Sequence, residues 1–205
     1  MSEPYSAPSE PAADPAPPRK RPRPGERRIQ ILQTLAGMLE QPGSERVTTA
    51  ALAARLEVSE AALYRHFASK AQMFEGLIEF IEQSVFTLVN QVQEREADPR
   101  ARALGMARLF IQFAEKNPGM TRVMVGDALV FEHQRLQERM NFFFDKLEAA
   151  WRQALREGGS AESDPAVRAS LLQAFVLGRL QRYARTGFKR LPSEHLGESL
   201  ALILA

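Results

Sequence analysis

The chain has 205 residues, 44% of them hydrophobic and 25% charged, with a net charge of +2. This suits one or two compact domains with a buried core and a water-facing surface. The lack of cysteine excludes disulfides, thiolate nucleophiles and thiolate metal sites, and no apolar run is long enough for a bilayer span or a secretion signal, so a cytoplasmic location is expected.

Residues 1–25 are rich in Pro, Ala and Ser, without period, and read as a disordered arm. Charge changes sign along it. Glu3, Glu10 and Asp14 come first, and Arg19, Lys20, Arg21 and Arg23 follow in RKRPRP. Such an end is either a solvated tail or a basic arm that lies along an anionic polymer.

Helical patterning then takes over. Ile29, Leu32, Ala36 and Leu39 share one face of a first helix, which QPGSE (Gln41 to Glu45) breaks. Thr48 or Thr49 caps a short second helix carrying Leu52, Ala53 and Leu56. Glu57 and Val58 form a tight turn, and Ser59 caps a third helix that ends near Phe67. Ser69 caps a fourth, with Gln72 as its capping-box partner. The fourth helix runs to about Arg95 on a stripe of Met73, Leu77, Ile81, Val85, Leu88 and Val92, with Phe80 at its edge and Phe86 well outside.

Asp98-Pro99 starts a fifth helix that stops at Asn117-Pro118, and a short helix follows Pro118. A long helix passes through Leu136, Met140, Phe143, Leu147, Trp151 and Ala154 to Gly158-Gly159. Asp164-Pro165 starts the next, with Leu171, Leu172, Phe175, Leu177 and Leu180; Ser193 opens the last, with Leu196, Leu200 and Ile203. No segment alternates with period two, so the expected fold is all-α. Its expected parts are an arm (1–25), a three-helix helix-turn-helix domain (26–72) and a second helical domain (73–205).

Three helices within about forty residues, the last two joined by a tight turn, have helix-turn-helix spacing. Leu52, Ala53, Leu56, Val58, Leu63 and Phe67 supply its apolar contacts, with Ala53 small where the helices cross. Ser59, Glu60, Ala61, Tyr64, Arg65 and His66 are left for the outside or the edges. Small residues at the third helix start let its backbone approach a groove floor. Tyr64 and His66 carry donors that reach phosphates, and Lys70 offers an amide and an ammonium at the start of the next helix. Thr48 and Thr49 add hydroxyls and amides, Arg27 and Arg28 extend the basic arm, and the Arg65 fork suits guanine. Taken singly each has a plain explanation: a capped helix with Tyr, Arg and His is common, His66 alone suits a surface or a cap, and Lys70 alone is usually solvated.

Together, TTAALAARLEVSEAALYRHFASKAQMF resembles the DNA-binding domain of TetR-type regulators, with a T-rich helix start, V-S, then Y-x-x-F-x-x-K. One departure is Glu57, at a turn position the family commonly gives to glycine. A left-handed conformation there costs a side-chain-bearing residue about 1–2 kcal/mol. The resemblance implies a dimer formed through the last two long helices, here 164–205, joined through RTGFKR, with two reading helices for a palindromic DNA site. The alternative is that these helices only complete the monomer core.

SEAALYRHF, LIEFIEQS, KNPGMTRVMVGDALVFEHQRLQERMN and RQALRE narrow the resemblance, over Arg27 to about Leu191, to the nucleoid-occlusion factors of that family. The long Pro-rich arm departs from their short basic N-terminus. Such factors bind chromosomal sites and, while bound, antagonise the division protein FtsZ. By resemblance the FtsZ-binding surface lies between the fourth and fifth helices, where Phe80, Leu109, Lys116 and Asn117 match it. The competing expectations are a ligand-responsive repressor and an enzyme. Against the latter, His66, His133 and His195 have no HExxH-like spacing and no phosphate-binding glycine loop occurs. No metal or cofactor is expected.

Overall fold

The computed structural model describes residues 25–41, 46–157 and 164–204. The arm up to residue 24, most of the QPGSE break and the Gly158-Gly159 stop lie outside the described residues. The elements are α1 (Glu26–Leu39), α2 (Thr49–Arg55), α3 (Glu60–Tyr64), α4 (Lys70–Arg95), α5 (Pro99–Lys116), α6 (Pro118–Met124), a single 3-10 turn (Asp127–Leu129), α7 (Gln134–Arg156), α8 (Pro165–Arg185) and α9 (Leu196–Ile203). No strand occurs among the described residues. The fold is all-α, a three-helix helix-turn-helix unit followed by a larger helical region.

Most helix starts are set by the side chains that the sequence marks. Thr48 accepts from the Ala51 amide (3.1 Å), Ser59 from Ala62 (3.3 Å), Ser69 from Gln72 (3.2 Å), Asp98 from Ala101 (2.6 Å) and Asp164 from Ala166 (2.8 Å). Each satisfies an amide that the helix leaves unpaired. Three local expectations are corrected. Gln72 accepts from the Ala68 amide (2.8 Å) rather than from that of Ser69, so its side chain reaches one residue beyond a capping box. The third helix ends at Tyr64, with the His66 and Phe67 amides both donating to Leu63 O. The last helix starts at Leu196 behind His195, which is left-handed at φ 51°, so Ser193 lies in the preceding turn and not at the cap.

Along α4, Met73, Leu77, Ile81 and Val85 are buried as the stripe requires, but Val89 takes its far end while Leu88 and Val92 are only half-buried. On α8 the inward face is Ala169, Leu172, Val176 and Leu180, and Leu171 points outward. Residues one position apart in a helix face different ways, so of the pair Leu171-Leu172 only one reaches the core.

The larger region is centred on aromatic rings. Phe143 meets Phe144 edge-on at 5.0 Å, and Phe110 meets Phe143 and Phe144 at 6.0 and 6.1 Å. Trp151 is fully buried nearby on α7. Phe86, well outside the stripe, is nonetheless half-buried and meets Phe143 of α7 edge-on at 5.6 Å. Each such ring contributes roughly 1.5–3 kcal/mol on burial, with a further increment for edge-on contact.

Two seams join the helix-turn-helix unit to this region. On one side the start of α6 lies against the backbone of α1. A Cβ at Gly119 would fall 1.9 Å from Ala36 O, so only glycine permits the approach. On the other, Lys70 pairs across to Glu132 in the loop before α7, and further along α4 the pairs Glu75–Arg135 (2.8 Å) and Glu82–Arg139 (2.7 Å) continue the attachment to α7 within the larger region. The hydrogen bond to Glu82 outweighs burial and pushes the Arg139 pKa further up, so this guanidinium is permanently charged. α4 therefore begins beside α3 and ends in the larger region as one continuous helix.

Candidate nucleic-acid interface

The turn between α2 and α3 is closed by backbone bonds from Glu57 N to Ala54 O (3.1 Å) and from Val58 N to Ala53 O (3.0 Å). Glu57 takes φ 55°, the left-handed conformation anticipated there, so the turn keeps its geometry and carries the strain of a side chain. Leu52, Ala53, Leu63 and Phe67 are buried beneath it. Ser59, Glu60, Ala61, Tyr64, Arg65 and His66 are exposed, with Tyr64 at 45%, and they share one short helix and its end.

The other expected contacts surround this helix. Thr48 is exposed and its oxygen caps α2, which leaves its hydroxyl proton free to donate elsewhere. Thr49 donates to Glu60 Oε2 (2.6 Å), tying the start of α2 to the first turn of α3, where a carboxylate is favoured by the helix end. The Arg28 guanidinium lies 4.1 Å over the Phe67 ring and donates to His66 O (3.0 Å), so it both seals the end of α3 and fixes a cation there. Arg27 donates to Gln30 on its own helix (2.9 Å). Lys70 opens α4 but does not stand free. Its ammonium pairs with Glu132, which comes from 62 positions along the chain. Glu132 has no local signal in the sequence that would have marked it as part of this surface.

The expected partner residues lie elsewhere. α4 and α5 form an antiparallel hairpin in which Gly105 admits Val92, 3.0 Å from where a Cβ would sit. Gln91, Val92, Arg95, Glu96, Ala101, Gly105 and Leu109 line an open groove of about 240 Å³ between them. With 92 beside 105, antiparallel running brings position 80 level with 117. Phe80 is 48% exposed, Lys116 is exposed, and Asn117 is half-buried with its Nδ2 donating to Phe113 O (2.7 Å). Leu109 therefore lines the groove, while Phe80, Lys116 and Asn117 lie outside its lining, further along the α4–α5 pair. Elsewhere, α8 and α9 expose Val167, Leu171 and Leu202. Among the described residues no group of His, Asp and Glu could hold a metal, and no helix is long and apolar enough to cross a membrane.

Comparison with known proteins adds to this geometry. A family model described as bacterial regulatory proteins of the tetR family matches residues 31–77, and one described as the tetracyclin repressor-like C-terminal domain, of SlmA-like type, matches residues 100–204. The nucleoid occlusion factor SlmA of Idiomarina loihiensis is 50% identical over 174 residues, covering 82% of this chain and 89% of that protein. That of Vibrio cholerae is 48% identical over 185 residues, covering 87% and 94%. Among solved structures, the fatty acid degradation regulator FadR from Bacillus halodurans superposes with a TM-score of 0.73 at 13% identity, covering 88% of this chain and 96% of its own. The TetR family regulator PfmR from Thermus thermophilus does so with 0.71 at 21%, covering 85% and 97%. At these identities the superpositions speak to the fold alone.

Proposed function

The chain belongs to the SlmA family of TetR-type DNA-binding proteins, and on that premise we propose that it is a nucleoid occlusion factor. It binds palindromic chromosomal sites as a homodimer and, so bound, antagonises FtsZ assembly and blocks septum formation over the nucleoid, in the cytoplasm. The observation that carries this reading is the near-50% identity to such factors across both the helix-turn-helix unit and the larger region.

The site residues support a division of labour. Ser59, Glu60, Ala61, Tyr64, Arg65 and His66 present α3 to the major groove, with Arg27, Arg28, Thr48, Thr49 and the backbone amide of Lys70 placed around it for the flanking phosphates. Phe80, Leu109, Lys116 and Asn117 form the FtsZ-facing surface. The apolar residues exposed on α8 and α9 supply the dimer contact.

A ligand-responsive repressor would need room for an effector. The space between α4, α5 and α7 is instead occupied by Phe86, Phe110, Phe143 and Phe144 in mutual contact, which favours a protein partner over a metabolite. Genome-wide mapping of binding sites tests the reading. Many sites scattered over the chromosome and absent near the terminus are expected; a few promoter-proximal sites would point to a repressor.

A further inference from the structure

Of the three ion pairs that join α4 to the α7 side, two place the acid on α4 (Glu75 and Glu82) and the arginine on α7. The third reverses that order: Lys70, the first residue of α4, is paired with Glu132 from the loop before α7. The Glu132 side chain is only 8% exposed, against 27% for Lys70, although its neighbours Val130 and Phe131 are 70% and 65% exposed. The loop is held in this inward turn by buried Ala128 and Leu129 and by the Glu132 amide donating to Leu129 O (3.0 Å). The carboxylate is thus a fixed, covered charge, while the ammonium is at the end of a flexible stem 5.7 Å from the Phe74 ring.

This matters because Lys70 stands at the edge of the expected DNA surface. We propose that Glu132 is a built-in counter-ion that competes with the DNA backbone for the Lys70 ammonium and so lowers its contribution to DNA affinity. The inference rests on the DNA-binding reading of α3 and its surroundings. An ammonium that moved wholly to a phosphate would strand a covered carboxylate, and one that stayed would bring the phosphate close to that carboxylate, well inside the screening length of the solvent. In either case the cation is already neutralised and displaces little of the counterion atmosphere of DNA. The Lys70 backbone amide is unaffected. Because phosphate contacts are sequence-independent, holding this one back leaves a larger share of affinity to base contacts from α3.

The test is the salt dependence of binding to a random-sequence duplex, measured for the full chain as wild type, Glu132→Gln and the double variant Lys70→Gln/Glu132→Gln. Glu132→Gln releases the ammonium, and the slope of log affinity against log salt should steepen by about 0.9, with severalfold tighter binding at low salt. The double variant should return to the wild-type slope. It replaces the ion pair with two neutral amides and leaves no stranded charge, so a shallower slope in it overturns the proposal even if the single variant misfolds. No change in Glu132→Gln, or a double variant shallower than wild type by about 0.9, would overturn the proposal. Random DNA makes the outcome independent of the operator sequence and of FtsZ, so a failure here is distinguishable from a failure of the nucleoid-occlusion reading, which genome mapping tests.

Discussion

The surface around α3 and the groove between α4 and α5 are assembled differently. Around α3, polar side chains are placed by hydrogen bonds, most of them local: Thr48 and Ser59 cap their own helices and Thr49 reaches Glu60 eleven positions away, while Arg28 comes from α1 to His66 O. In the groove, shape comes from packing, with Gly105 admitting Val92 where a Cβ would crowd it. A face built from caps and turns keeps its polar groups at the surface and suits phosphates. A face built from helix packing has apolar floor and polar rims and suits a protein segment. α4 contributes to both, opening with Lys70 beside α3 and lining the groove with Gln91, Val92 and Arg95.

Substitution at the joint between the two regions should have the largest effect. Gly119→Ala forces a methyl group into Ala36 O, backbone against backbone, and should lower stability by about 3 kcal/mol, read from urea unfolding. If the two regions were only loosely docked, the loss would be small.

Changes confined to the α3 surface come next. Tyr64→Ala should weaken DNA binding about tenfold, or ~1.4 kcal/mol, with little change in unfolding midpoint. Thr48→Ala should weaken it similarly and also cost about 1 kcal/mol of stability through the lost cap, whereas Thr48→Ser should restore the stability. DNA titrations alongside thermal melts separate the two effects.

A smaller gain is expected at the turn. Glu57→Gly relieves the left-handed strain and should raise stability by about 0.5 kcal/mol net, since glycine adds entropy to the unfolded chain. An unchanged or lower midpoint would show that the contacts of the Glu57 side chain outweigh the strain. Smallest of all, Phe80→Ala should leave DNA affinity unaltered and stability within about 0.5 kcal/mol, because the ring is half in water.

The contrast between the two regions also explains what could be read from the chain. The α2–α3 surface was legible from two sources: a local cap signal, Ser59 before a helical run, and the resemblance to TetR-type domains, whose usual glycine at the turn implied the positive φ of Glu57. The inward stripe of α4 was legible from its period through Val85. The failures share a cause in long-range packing. Which of Leu171 and Leu172 faces inward depends on where α7 lies, the ring that Phe86 meets comes from α7, and the ion pair of Lys70 with Glu132 spans 62 positions. Ser193 failed for a local reason, because the chain enters α9 through a left-handed His195 rather than through a side-chain cap.

The central claim is that a DNA-bound chain acts on FtsZ through a surface separate from the one that holds DNA. Sedimentation of FtsZ polymers with GTP, in the presence of the protein with and without a duplex carrying its mapped site, tests this most directly. The account predicts that the DNA-bound protein reduces the pelleted polymer and that Phe80→Ala, still bound to DNA, does not. Equal pelleting with and without the site, or full inhibition by Phe80→Ala, would contradict it.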